Sequence, residues 1–226
     1  MTSTWNPTDA PAFAGQVVAR MQALPVSNTP NRRAVRQDTT KQLKDAPRDF
    51  VLALALTLIR EHGCWGTAYE LVAYHTPTFA ALRLNEVEAL GQGIHSWDTV
   101  DAFARTVSGP AWLKGRITDA DIHQWAQSPD LWWRRAALVS TVALNMRSHG
   151  GYGDADRTLA VCTMLVDDHE DMVVKALSWA LRSLVVHDPD AVCAFLSKHL
   201  DRLAARVKRE VRHKLDTGLK SPRRRL

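Results

Sequence analysis

Cysteine is scarce in this chain, and no apolar run is long, so two large classes of protein are excluded at the outset. The three cysteines, Cys64, Cys162 and Cys193, are odd in number, widely spaced and set in apolar runs with helical spacing. They read as reduced packing residues, without a disulfide framework or a CxxC pair. The longest apolar run, FVLALALTLI, is half of a membrane span and is followed by Arg60. The N-terminal MTSTWNPTDAP lacks the charged and apolar regions of a secretory signal. These absences set the expectation of a cytoplasmic protein with no membrane partner.

Also missing is any convincing alternation of apolar and polar residues with period two, which leaves no strand pattern. Among nine histidines there is no HExxH and no His/Cys cluster of metal-ligand spacing. GxSxG, the dinucleotide-binding fingerprint and the kinase signature are absent too, and the glycines of GGYGDAD, residues 151–156 with Gly150 before them, lack the GK[ST] ending of a phosphate loop. Metal, nucleotide and other cofactors are therefore not expected.

What remains is helical periodicity. Apolar residues recur at i, i+3, i+4 and i+7, and predict helices near 9–23, 31–45, 47–62, 66–76, 78–91, 96–107, 118–127, 129–146, 154–167, 170–186, 188–199 and 203–216. Thr118 with Asp121 forms a capping box, Ser128 precedes Pro129, and Asp188 precedes Pro189, which places Pro at a first helical turn. Short helices at this rhythm predict an all-α, HEAT-like solenoid of about six antiparallel helix pairs, each pair spanning roughly 35 to 45 residues. The expected organisation is a single repeat domain over 1–217 and a basic, disordered tail over 218–226, with a globular helical bundle as the alternative.

Charge is uneven along the chain. The net charge is +5, yet residues 201–226 hold ten Lys or Arg against three acids, a surplus of seven, so the first 200 residues sum to minus two. A second basic stretch, NRRAVRQDTTKQLKDAPR from Asn31 to Arg48, has six cations against two acids. Two such patches suit a polyanion and predict a basic concave face, though basic helical termini are equally often just solvated.

Three stretches combine tryptophan with charge. In SWDTVDAFAR, Trp97 and Asp101 stand four residues apart, which on a helix stacks an indole beside a carboxylate; Asp101 is also four residues from Arg105, and such a surface pair explains the spacing without any chemistry. In KALSWALRSL, an apolar stripe through Val173, Ala176, Leu177, Ala180 and Leu184 leaves Lys175, Trp179 and Arg182 aligned on another face. An indole between cations suits a sugar-phosphate backbone, and equally a helix packed on two sides. In DLWWRRAALV, one neighbour cannot hide all of Trp132, Trp133, Arg134 and Arg135, because consecutive residues point about 100° apart. At least one cation–aromatic pair is expected at a surface.

In this order, WDTVD, LWWRRAALVST and KALSWALRSLVVHDPDAVCAFL followed by a basic last helix, the segments resemble the DNA alkylation repair family of AlkD-like alkyl-DNA glycosylases, from LPVSNTPNRRAVR to His213. The resemblance implies a HEAT-like solenoid and a monofunctional DNA glycosylase acting without a cofactor, as a monomer, on double-stranded DNA that carries alkylated bases. It implies Trp97 and Trp179 flanking the lesion-bearing nucleotide, Asp101 as the catalytic carboxylate and Arg135 as a phosphate contact; the charge pattern adds Arg134, Lys175 and Arg182 as DNA-binding cations. Many members carry a tryptophan where this chain has Ser96. A non-catalytic DNA-binding relative and a protein-binding helical scaffold are the two other readings.

Overall fold

The computed structural model describes residues 5–219. The chain falls into two compact units, Met1–Gly93 and Ile94–Leu226. The described residues form helices and connections without a strand, and none of the helices is long and apolar enough to cross a membrane. The expected SPRRRL tail, and Lys220 before it, lie outside the described residues.

The first unit contains α1 (Ala10–Gln22), α2 (Thr29–Gln42), α3 (Arg48–Arg60), α4 (Trp65–Tyr74), α5 (Thr76–Ala80) and α6 (Leu84–Gly91). Helix α3 is its centre and buries Phe50, Val51, Leu54, Ala55 and Leu58 against α1, α4, α5 and α6. The single helix expected over 78–91 is interrupted between Ala80 and Leu84. Glu86 accounts for the restart, since its Oε2 accepts from the Arg83 backbone N–H at 2.9 Å and caps a new first turn.

The second unit is built as two layers. Helices α7 (Trp97–Phe103), α8 (Gly109–Leu113), α10 (Leu131–Leu144), α12 (Asp171–Leu184) and α14 (Ala205–Thr217) pack side by side, α10 against both α7–α8 and α12, and α12 against α14. Helices α9 (Asp119–Ala126), α11 (Ala155–Met164) and α13 (Pro189–Lys198) cover them from behind, each touching a helix of the first layer. Caps mark the starts as local chemistry requires. Thr118 and Asp121 close a capping box on α9, with Asp121 Oδ2 accepting from the Thr118 N–H at 2.7 Å, and Asp188 Oδ1 accepts from Ala191 N–H at 2.9 Å ahead of α13. Ser128 and Pro129 only precede α10; Asp130 is its cap, accepting from Trp132 N–H at 2.8 Å.

The repeat is weak in the sequence and plain in the bonds. Arg36 meets Glu70 at a separation of 34 residues, as do Asp101 with Arg135 and Arg134 with Asp168; Asp167 with Arg202 and Asp171 with Arg206 are 35 apart. Hydroxyls follow the same rhythm: Ser108 and Ser140 share a buried 2.7 Å bond, and Ser178 donates to Glu210 at 2.7 Å, each pair 32 residues apart. A polar rung between successive helices at nearly constant separation is what a stack of like units produces. The fold is an all-α helical repeat.

Between α7 and α8 the helix widens into a π-helical segment, Ala104–Ser108, in which Gly109 N–H bonds back to Ala104 C=O. Gly109 then lies so close to α10 that an added Cβ would stand 2.7 Å from the carbonyl oxygens of Ala104 and Ser140 and from the Ala143 Cβ. Gly109→Ala should therefore cost about 2 kcal/mol, a fall of roughly 5 °C in melting temperature for a protein of this size. An unchanged thermal melt would mean that the helices separate freely at this point.

Candidate functional site

Ser96, in extended conformation, precedes α7, and its backbone N–H donates to Thr99 Oγ1 at 3.3 Å. The helix that follows carries Trp97, Asp101 and Arg105 at i, i+4 and i+8, with a rise of about 6 Å between neighbours on that face. Trp97 is 58% exposed, a large cost for an indole that serves packing alone. One turn on, the Asp101 side chain keeps 17% of its exposure.

Asp101 does not form the ion pair with Arg105 that the i+4 spacing suggests. Its partner is Arg135 on α10, whose Nε donates to Oδ1 and whose Nη2 donates to Oδ2, both at 3.0 Å. The remaining nitrogen, Nη1, donates to the Met172 backbone C=O in the first turn of α12. Arg135 is only 4% exposed, so the guanidinium, a fork of fixed geometry, joins three helices and sets the plane of the carboxylate. Burial pushes the Asp101 carboxyl above its ordinary value, against the opposing pull of Arg135 and then Arg105.

Arg105 is exposed and lies 5.8 Å from the ring centroid of the half-buried Trp179 on α12. Helix α10 packs between these two elements, so this cation–π contact joins the helices that flank it. The surface cation–aromatic pair expected from DLWWRRAALV thus has other members. Trp133 turns into a cluster with Trp125 and Phe103, at centroid distances of 4.9 and 5.9 Å, and Arg134 donates to Asp168 at 2.7 Å and to the Ser128 and Pro129 carbonyls at 2.9 Å.

The cations expected beside Trp179 also have partners within the chain. Lys175 bonds Asp171 at 2.6 Å in an exposed i, i+4 pair, and this hydrogen bond, with the charges of Lys175 and Arg206, holds Asp171 below the usual carboxylate range. Arg182 donates to the Ser178 C=O and Oγ at 3.1 Å and lies 3.7 Å from Glu210; burial lowers its guanidinium, opposed by Glu210. Asp101, Arg105, Arg135 and Trp179 form the connected group, and Trp97 stands one turn before Asp101 on the same helix face. Arg105 is the member that the sequence reading placed elsewhere. A signal for it exists in Pro110: a proline inside a continuing helical pattern lacks the N–H of a regular turn and asks for local rewinding, here the π segment that carries Arg105.

Residues 5–215 match the family of the DNA alkylation repair enzyme, and the chain belongs to that family. Membership gives it a role in DNA alkylation repair, as an enzyme whose partner is DNA. No curated protein matches the chain.

Removing the buried Arg135 leaves the Asp101 carboxylate without its partner in a site that already disfavours the charged form. Arg135→Met should therefore destabilise the protein by about 3 kcal/mol, Asp101→Asn should cost clearly less because the fold already favours the uncharged acid, and the double variant should lose at least about 1.5 kcal/mol less than the two losses added together. Urea unfolding of all four proteins measures this coupling; simple additivity would show that the pair does not act as a unit.

Proposed function

We propose that this protein is a monofunctional DNA glycosylase that hydrolyses the N-glycosidic bond of cationic N3- or N7-alkylated purines in duplex DNA, leaving the phosphodiester backbone intact. The observation that carries the reading is the Asp101 carboxylate, oriented by Arg135, with the exposed Trp97 one turn before it and Arg105, which lies over Trp179, one turn after it.

The chemistry asks for little more. An alkylated purine carries its positive charge on the ring, so when the bond to C1′ breaks the electron pair neutralises that charge and the base leaves without a general acid. The sugar is left with oxocarbenium character, which an anion fixed nearby stabilises. Water then adds to C1′ and gives up one proton, which Asp101 can accept. A carboxylate has about four lone-pair sites, and Arg135 takes two, so each oxygen keeps one for the sugar or the water. Arg135 is then a positioning residue, and the phosphate contact first assigned to it passes to cations nearer the surface, Arg105 and Lys175.

Trp97, exposed on the same face, packs against the deoxyribose, and Trp179 closes the other side. Together they exclude solvent from the developing charge, where a carboxylate acts more strongly than in water. Arg134 and Arg182 hold the helices that carry these groups.

Asp101→Asn should lower the single-turnover release of N7-methylguanine from methylated duplex DNA by a factor of about 100 to 1,000, at a temperature where circular dichroism shows the variant folded. Affinity for the duplex should change little, because a carboxylate among phosphates does not favour ground-state binding. Full-speed excision by the folded variant would remove Asp101 from the chemistry, and an absence of release by the unaltered protein would favour a non-catalytic DNA-binding role.

A further inference from the structure

The connection from α10 to α11 runs through residues 145–154 and has no acid before Asp154, while Arg147 and His149 lie within it. It is fixed from within. Buried Asn145 donates through Nδ2 to the Thr141 C=O and Thr158 Oγ1, both at 3.0 Å, accepts from the Asp154 N–H at 3.2 Å, and pairs its own C=O with His187 Nε2 at 2.9 Å. Gly151 N–H bonds Met146 C=O at 3.0 Å and Gly153 N–H bonds Leu144 C=O at 3.2 Å. An added Cβ at Gly151 would stand 2.3 Å from the Ala143 carbonyl oxygen, so this backbone lies directly against the end of α10.

On this fixed backbone Tyr152 is 79% exposed, and Arg147 is exposed as well. Folding gains nothing from an aromatic ring in water. The loop also adjoins the segment that carries Arg105: Gly109, directly after the π-helical turn, and Gly151 in the loop both abut Ala143 at the end of α10, and the charge of Arg105 adds to the burial that lowers His149 below its ordinary value. Arg105 is the cation over Trp179, so loop and site share one edge.

We propose that residues 146–153 form a second DNA-contacting element beside the Asp101 site, with Arg147 on a phosphate and Tyr152 against a sugar or base. The inference rests on the DNA-glycosylase reading above. Several features favour duplex DNA as the occupant: an exposed arginine with no acid in the loop before Asp154, an exposed aromatic between glycines that leave it room, and continuity with a site that handles DNA. A loop already fixed in place also loses little entropy on binding.

The test is fluorescence anisotropy with a labelled duplex, over a salt series, for the full chain and for Arg147→Ala, Tyr152→Ala and Tyr152→Phe. Tyr152→Ala should weaken binding about tenfold while Tyr152→Phe binds as the unaltered protein does. Arg147→Ala should flatten the slope of log affinity against log salt by about 0.9. Excision at saturating duplex should stay at its original rate in all three, since none of these residues belongs to the catalytic group. Binding by Tyr152→Ala and Arg147→Ala that matches the unaltered protein at every salt overturns the loop assignment and leaves the DNA reading standing. Failure of the unaltered protein to bind duplex at low salt overturns both.

Discussion

A guanidinium buried among three helices fixes the geometry of everything around it. Arg135 holds both oxygens of Asp101 on α7 and the Met172 carbonyl on α12, and a buried ion pair of this kind is stable only while each member has the other. Its net contribution to folding is small once desolvation is counted. Its value is orientation. The carboxylate cannot turn away, and burial raises its proton affinity without removing its access to solvent.

Around that pair the stack is built to bring helices close. Gly109 lets the π-widened helix approach α10, Ser108 and Ser140 satisfy each other inside the contact, and Arg105 and Trp179 meet from the two flanking elements. The arginine–carboxylate rungs at 34 and 35 residues repeat the same solution elsewhere. Among the described residues, only the rung at Asp101 combines burial of its arginine with an exposed tryptophan one turn away. A scaffold rung has become a candidate site by retaining access to one edge of the acid.

What was legible in the sequence follows from range. Most helix spans and the Thr118 and Asp188 caps depend on neighbours within four residues, and the structure reproduces these, apart from the break at residues 81–83, the π segment that ends α7 and the unexpected short helix α8. Trp97 and Asp101 share a helix face for the same reason. The partner of Asp101 was not legible locally, because Arg105 at i+4 is the obvious choice and Arg135 is 34 residues away. Trp179 was expected between Lys175 and Arg182, its neighbours on α12; tertiary packing gave those two to Asp171 and Glu210 and brought in Arg105. The π segment and the Glu86 cap, which splits one expected helix, likewise depend on packing and on a single carboxylate that periodicity does not register.

The pH dependence of single-turnover N7-methylguanine release tests the central claim most directly, because the substrate stays cationic across the acid range and only the enzyme titrates. Asp101 must be ionised to act. With its carboxyl raised above the ordinary value of 3.8 by burial, excision should fall as pH drops through a midpoint above that value, and the low residual rate of Asp101→Asn should lack this limb. The same shift makes ionisation of Asp101 slightly costly to the fold, a stability contribution present below the unfolded value and lost as pH rises through the folded one. The loss of rate in acid therefore cannot come from this group unfolding the protein. A rate that stays level down to the ordinary carboxylate range, or an acid limb that persists unchanged in Asp101→Asn, would contradict the account.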